Sequence, residues 1–255
     1  MRRCERGLTI RSTGHFAAVQ VWASFHSRPN PAYRKMPVSS NVRRRNTGRT
    51  SHRQTRQTFV HITKLHDTRC FKCKNTIYQM LRISYGEYQL KYKAEGVSTR
   101  IEDYRNLEIY ETLLQIYQAL VDYRGHDTFV KSKSLQRCDV YIPSKKLLIE
   151  TDEYQHFSYP RYISLKNYPS SLSIGYNVSW YMNMCNKKRT VDNDPKYRDE
   201  QRAWYDTIRD FLPMFYSDIS KTVRIPLGFH TWCSLDPMNN EHVAIFKLHA
   251  LNLVE

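Results

Sequence analysis

Several features that would place this chain in a membrane or outside the cell are missing from its sequence. No apolar run approaches the roughly 18 residues that a membrane-spanning helix requires, so no membrane contact is expected. No secretory signal precedes the six irregularly spaced cysteines, which favours a reduced intracellular compartment, either cytoplasm, nucleus or the interior of a virus-infected host cell. No internal repeat is apparent.

Acidic residues are nearly missing from the first 57 residues, where Glu5 stands against 13 Lys and Arg. This segment is rich in Arg, Ser, Thr, Asn and His without periodicity, and we predict a disordered basic arm whose Arg43, Arg44 and Arg45 contact phosphates. Two other interpretations stay open, an organelle transit peptide and a later translation start, for example at Met36.

The overall charge of +16 and the pI near 9.6 favour a polyanionic partner, with nucleic acid as the first candidate. The arm carries +12 of that charge, which leaves +4 for the other 198 residues. A solvated basic surface is therefore the alternative for the folded part. The oligomeric state is not indicated.

Hydrophobic periodicity divides the remaining chain into helices and strands. The predicted elements are a short helix or strand at 77–83, a strand at 88–93, a helix at 101–123, a β-hairpin at 138–152, a loop-rich segment at 157–197, a helix at 198–212, a strand at 222–226 and a helix at 241–251.

Three carboxylates are predicted to meet at one end of the hairpin. Glu150 and Asp152 are two residues apart on a strand and share a face, and Asp139 lies near the start of the partner strand. Unpaired carboxylates repel each other, and a divalent cation such as Mg²⁺ would relieve that repulsion. The alternative is a polar strand face with Lys or Arg partners. His156 follows just beyond, where a histidine beside a metal-bound water can exchange a proton.

Cys70 and Cys73 form a Cys-x-x-Cys pair that could bind Zn²⁺. Structural zinc needs four ligands, and no second such pair exists, so buried free thiols are the favoured interpretation. Cys138, Cys233, His61 and His66 are the residues that could complete a zinc site, although nothing in their spacing requires it.

The stretch from Arg137 to Phe157 (RCDVYIPSKKLLIETDEYQHF) resembles the core of the restriction-endonuclease-like superfamily. It is most similar to the branch of very-short-patch repair endonucleases and homing-type endonucleases. The matching positions are Asp139, Glu150, Asp152, Gln155 and His156 in the hairpin, Glu111 in the preceding helix, Asp199-x-x-Arg202 in the following helix and Arg224 in the later strand. The match covers residues 104–226. The superfamily's usual lysine is absent, and the gap between His156 and Asp199 is long.

The resemblance implies a Mg²⁺-dependent endonuclease, with Mn²⁺ as a substitute, acting on double-stranded DNA. Asp139, Glu150 and Asp152 would hold the metal, His156 would handle a proton, and Glu111 and Asp199 would support the site. Gln155, Arg202 and Arg224 would contact nucleic acid. For Glu111, Asp199 and both arginines, local ion pairs are an equal alternative.

We therefore expect an α/β protein with a restriction-endonuclease-like mixed sheet flanked by helices. Its expected parts are the arm at 1–57, an N-terminal extension with the Cys-x-x-Cys knuckle at 58–100 and an endonuclease-like domain at 101–255. The rival functions are a non-catalytic nucleic-acid-binding protein with a decayed pocket and a zinc-ribbon interaction protein.

Overall fold

The computed structural model describes residues 66–251 of the chain. The predicted disordered arm at 1–57, with Arg43, Arg44 and Arg45, and the candidate zinc ligand His61 lie outside these residues. Within the described range, no helix is both long and apolar enough to cross a membrane.

A four-stranded mixed sheet forms the centre of this part of the chain. Its strands are β1 (Gln89–Tyr92), β2 (Cys138–Ile142), β3 (Leu147–Asp152) and β4 (Lys221–Pro226), and they lie in that order across the sheet. The strand β2 is antiparallel to both β1 and β3, whereas β3 and β4 run parallel. The expected mixed α/β class is confirmed.

The predicted β-hairpin is present as β2 and β3. Ile142 pairs with Leu147 at its closed end, and Val140 pairs with Ile149. A single 3-10 turn at Pro143–Lys145 joins the strands, and Lys146 takes a left-handed conformation with φ of 51° to enter β3. Because β4 runs parallel to β3, the chain must cross over between them, and helices supply that crossover.

Within residues 66–251, six helices surround the sheet. They are α1 (Phe71–Tyr85), α2 (Tyr110–Arg124), α3 (Tyr159–Lys166), α4 (Val178–Lys188), α5 (Arg198–Phe215) and α6 (Asn240–Ala250). The alternation of side chains along β3 assigns the helices to two faces. Leu148 packs in the cluster that contains α2 and α5, while Ile149 packs in the cluster that contains α1 and α6.

The predicted helix at 101–123 is shorter than expected. Residues Ile101–Tyr104 form a separate 3-10 turn, and the α-helix begins only at Tyr110. The Tyr104 hydroxyl donates to the Ser98 carbonyl, and its ring is buried in the core, so tertiary contacts hold this turn apart from the helix. The helix ends at Gly125, which takes a left-handed conformation with φ of 72°.

The segment at 157–197, predicted to be rich in loops, also contains two helices that were not predicted, α3 and α4. Pro160 lies in the first turn of α3, where a proline costs no helical hydrogen bond. Side-chain caps begin both helices: Ser158 accepts from the Arg161 amide, and Asn177 accepts from the Trp180 amide. Pro160 therefore begins a helix, whereas Pro169 and Pro195 lie in loops.

Residues predicted as a separate N-terminal extension belong to the same unit as the sheet. The strand β1 pairs with β2 through Leu90 and Val140. Helix α1 buries Ile77 and Leu81 against the sheet, in the cluster shared with α6. By their contacts, the described residues form one unit with no division near residue 100.

Candidate active site

The carboxyl end of β3 directs two acidic side chains toward α5. Glu150 lies 3.4 Å from the Nε of Arg209, and Asp152 accepts two hydrogen bonds from Nη1 of Arg224, at 2.9 and 3.1 Å. The period-2 prediction that both acids share one face is consistent with these contacts, because both arginine partners lie on the α5 side of the sheet. Both acids are buried.

Arg224 is the centre of a buried ionic network. Its side chain has no exposed area, and besides Asp152 it contacts Asp210 through Nε at 2.9 Å and Asp206 through Nη2 at 3.3 Å. Of the two interpretations of Arg224, a phosphate contact and a local ion pair, the contacts support the ion pair, because the guanidinium is fully enclosed and has three carboxylate partners. A buried arginine that lost these partners would carry a large desolvation cost.

Further buried groups complete the network. Arg161 of α3 donates to Asp210, together with the hydroxyl groups of Tyr168 and Tyr176. The charged members of the network are Glu150, Asp152, His156, Arg161, Asp206, Arg209, Asp210 and Arg224.

The network holds four carboxyl groups against three arginines, so neutrality requires one further proton. Two groups are placed to hold it. Burial raises the pKa of Glu150 to about 7, with Arg209 opposing the rise. Burial would lower the pKa of His156, but the nearby Asp206 and Asp152 reverse that effect and leave it above its ordinary value.

His156 is fixed by the network and yet remains partly exposed. Its Nδ1 lies 2.7 Å from Asp206 and 3.6 Å from Asp152, and 19% of its side chain is accessible. Its Nε2 makes no hydrogen bond with another residue of the described range. A carboxylate on one ring nitrogen orients the ring and leaves the other nitrogen for chemistry.

The Asp139 carboxylate lies outside this ionic network, although the Asp139 amide donates to Glu150 Oε1 at 3.3 Å. Its Oδ2 accepts from the Thr151 amide at 3.0 Å and from the Thr151 hydroxyl. Lys91 and Lys74 approach its carboxylate to 3.3 and 3.7 Å, and 14% of the Asp139 side chain is exposed. Burial would raise the pKa of Asp139, but the hydrogen bonds of Thr151 and the charge of Lys74 lower it below its ordinary value.

The expected convergence of three carboxylates on one ion is not seen in residues 66–251. There, a single group of three or more His, Cys, Asp or Glu has its ligand atoms within 4.8 Å of one another, and none of the three carboxylates belongs to it. Asp139 contacts Thr151, whose side chain lies opposite those of Glu150 and Asp152 on the strand. The paired residues of β2 and β3 end at Val140 and Ile149, so Asp139 does not continue the strand register from which its orientation was predicted.

The other predicted site residues lie at the edges of this arrangement. Glu111 is exposed in the first turn of α2, where a negative charge favours the helix dipole. Asp199 accepts from the Asp192 amide and lies 3.5 Å from Arg202, so these two form a local ion pair. Arg202 also reaches the Gln155 carbonyl at 3.4 Å.

Sequence reasoning missed Asp206 and Arg209, although a signal for them exists. The Asp-x-x-Arg spacing of Asp199 and Arg202 recurs seven residues later in α5 as Asp206 and Arg209. The second copy is the one that contacts His156 and Glu150. A seven-residue step returns to nearly the same side of a helix, so spacing alone could not choose between the copies. No sequence signal marks Arg161.

No protein-family model, curated protein or solved structure matches this chain. The arrangement of side chains in residues 66–251 is therefore the basis for any functional proposal.

Proposed function

We propose that this protein is a metal-dependent endonuclease of restriction-endonuclease-like architecture that hydrolyses phosphodiester bonds in DNA. The observation that carries the proposal is His156, a partly exposed histidine held by Asp206 at the carboxyl end of β3. An imidazole oriented in this way can donate or accept a proton at Nε2.

The order of elements supports this architecture. A helix (α2) precedes the β2–β3 hairpin, a helix (α5) follows it, and β4 then joins the sheet beside β3. This is the order in which the resembling residues occur in the sequence. Helices lie on both faces of the sheet, as the proposed fold requires.

Asp139 is the best candidate for a metal ligand among the predicted carboxylates. Mg²⁺ commonly uses one or two carboxylates and completes its shell with waters and substrate phosphate oxygens, so a single protein carboxylate suffices. Both oxygens of Asp152 are engaged by Arg224, whereas the Oδ1 of Asp139 faces the amino group of an exposed lysine, Lys91. The bound metal would polarise the phosphate it holds and lower the pKa of an attacking water. Because Asp139 contacts Thr151, on the opposite side of β3 from Asp152 and His156, the substrate must span the carboxyl end of β3 to reach both the metal and His156.

Two lysines beside Asp139 suit a phosphate substrate. Lys74 and Lys91 both approach its carboxylate, and Lys91 keeps 64% of its side chain exposed. Together they add two positive charges near one partly exposed acid, which favours the approach of a nucleic-acid backbone. These residues replace Arg224 as the proposed phosphate contacts in the described part of the chain.

His156 acts as a general acid in this proposal. Because its pKa is raised above the ordinary value, its ring keeps a proton to a higher pH than a free imidazole does, and the protonated ring can give that proton to the leaving oxygen. Asp206 holds the ring and stabilises its charged form. Cleavage should then decline as the pH rises through the raised pKa of His156.

Cleavage of supercoiled plasmid DNA by the purified full-length chain tests the proposal. We expect nicking or linearisation with Mg²⁺ or Mn²⁺ and none in EDTA. The Asp139→Asn substitution should slow cleavage about 100-fold or more, because a metal ligand contributes several kcal/mol. The His156→Gln substitution should slow it by about 10²–10⁴-fold.

Matched controls separate chemistry from folding. Asp122→Asn changes an exposed acid of α2, and His126→Gln changes a histidine in the loop after α2, so both should retain full cleavage. Each variant is first compared with the parent by circular dichroism and thermal melting. Folded Asp139→Asn and His156→Gln variants with undiminished cleavage would refute the assignment of this site.

A second candidate function is nucleic-acid binding without catalysis. It is favoured by the buried pairing of Asp152 with Arg224, which leaves that carboxylate no free oxygen. In this case the protein would bind DNA equally well in EDTA, Asp139→Asn would not weaken binding, and no metal would support cleavage.

The basic arm makes a separate prediction for either function. Residues 1–57 carry a net charge of +12, so deleting them should reduce the slope of log Kd against log salt. An unchanged slope would show that the arm makes no phosphate contacts.

A further inference from the structure

Four potential soft-metal ligands meet at the amino end of α1. His66 precedes the helix, Cys70 is its N-cap residue and Cys73 lies in its first turn. The fourth, Cys233, lies in a 3-10 turn that follows β4. One ligand atom from each residue lies within 4.8 Å of every other.

The distances between the ligand atoms of this cluster are close to those between the ligands of a metal site. Cys233 Sγ lies 3.4 Å from Nε2 of His66. In a tetrahedral zinc site with bonds of 2.0–2.3 Å, neighbouring ligand atoms lie about 3.3–3.8 Å apart. The Cys73 amide donates to Cys70 Sγ at 3.4 Å, and the Cys233 amide donates to Cys73 Sγ at 3.3 Å. Backbone donors of this kind stabilise thiolates.

Main-chain hydrogen bonds hold the segments that carry these ligands in place. The His66 amide donates to the Gly228 carbonyl at 3.2 Å, and the Cys70 amide donates to the Asp67 carbonyl at 3.2 Å. Gly228 has φ of 82°, and a Cβ there would approach the His66 carbonyl to 3.1 Å. The two segments that supply the ligands are thus fixed against each other by main-chain contacts.

We propose that His66, Cys70, Cys73 and Cys233 bind one Zn²⁺ in a closed structural site. Three thiolates and one imidazole are a ligand set typical of structural zinc, and four protein ligands leave no position for a reacting water. Cys138, an earlier candidate ligand, instead lies beside Glu150 and Arg209 and is not part of this cluster.

The site connects two distant parts of the chain. Cys73 and Cys233 are 160 residues apart, so the metal closes a long loop and ties α1 to the segment after β4. The next residue after Cys73 is Lys74, which approaches Asp139. The zinc therefore also fixes the helix that covers Asp139. The proposal does not depend on nuclease activity.

Metal analysis of the full-length protein, purified without chelators, is the direct test. We expect about one zinc per chain for the parent and for Cys185→Ala, which removes a buried cysteine outside the cluster. Cys233→Ala should retain little or none. Parent protein free of zinc, or Cys233→Ala with a full equivalent, would overturn the proposal.

Cobalt binding by the parent protein is a second test, which does not depend on the folding of Cys233→Ala. Parent protein stripped of zinc and given Co²⁺ should show thiolate-to-cobalt charge-transfer absorption and the strong visible bands of a tetrahedral site. Thermal melting provides a second readout, since a strong chelator should lower the Tm of the parent and of Cys185→Ala alike. Absence of the cobalt bands, or a disulfide among Cys70, Cys73 and Cys233 in the freshly purified protein, would refute the site.

Discussion

Replacing Arg224 with methionine tests the buried network that holds the candidate site together. Methionine keeps an unbranched chain of similar length, so the change removes the charge and the hydrogen bonds while retaining much of the packing. Three carboxylates, those of Asp152, Asp206 and Asp210, would lose the guanidinium that now contacts them. Breaking a buried ion pair by removing one partner costs about 3–5 kcal/mol. We expect a loss in this range for the free energy of unfolding at pH 7.

The loss of stability in Arg224→Met should also depend on pH, and the direction of that dependence follows from the pKa values of Asp206 and Asp210. Burial would raise the pKa of Asp206 and Asp210, but Arg224 reverses this and holds both below the ordinary value. Without Arg224 these pKa values rise, and each carboxyl can take up a proton at a higher pH. Protonation removes the uncompensated charge, so the deficit of Arg224→Met should shrink between pH 7 and pH 5.

Denaturant unfolding provides the measurement, followed by fluorescence of the buried Trp204 and Trp232. Arg82→Met is the matched control, since Arg82 is exposed on α1, and its effect should stay within about 0.5 kcal/mol. A deficit for Arg224→Met below about 1 kcal/mol, or one that is equal at pH 7 and pH 5, would refute the argument that Arg224 neutralises buried charge.

Three further predictions concern single residues. Burial raises the pKa of Glu150 to about 7, so the folded protein binds a proton at Glu150 more tightly than the unfolded chain does. The free energy of unfolding should therefore fall as the pH rises from 5 to 8, and Glu150→Gln should flatten this decline in denaturant unfolding experiments. Asp206→Asn should lower the pKa of His156 in an NMR titration, and an unchanged pKa would contradict the pairing. Gly228→Ala should reduce the Tm more than Gly125→Ala. Both glycines have a positive φ, but only at Gly228 would an added Cβ clash with a side chain, the methyl group of Thr68.

The hairpin and its flanking elements could be predicted because their signals are local. Alternation over Cys138–Ile142, a turn and a returning apolar run at Leu147–Asp152 indicated two strands, and the period of α5 indicated a helix with one buried stripe. Helices α3 and α4 were missed because their short sequences contain polar caps and a proline, which are typical of loops as well as of helix starts.

The candidate site was predicted only in part. The resemblance and the period-2 rule named Glu150, Asp152 and His156, and the structure places these three around α5. The structure does not bring the Asp139 carboxylate to these three side chains, since side-chain direction at the end of a strand depends on local pairing. The partners Asp206 and Arg161 come from helices whose orientation sequence spacing does not specify.

Periodicity, charge and residue type are properties of short segments, so the α/β class, the hairpin, the basic arm and the residues capable of chemistry follow from the sequence alone. Which of these residues meet depends on tertiary packing. It buried Arg224 among three carboxylates and joined Cys233 to a Cys-x-x-Cys pair 160 residues away. Such contacts depend on the packing of helices against a sheet, in which residues far apart in the chain become neighbours.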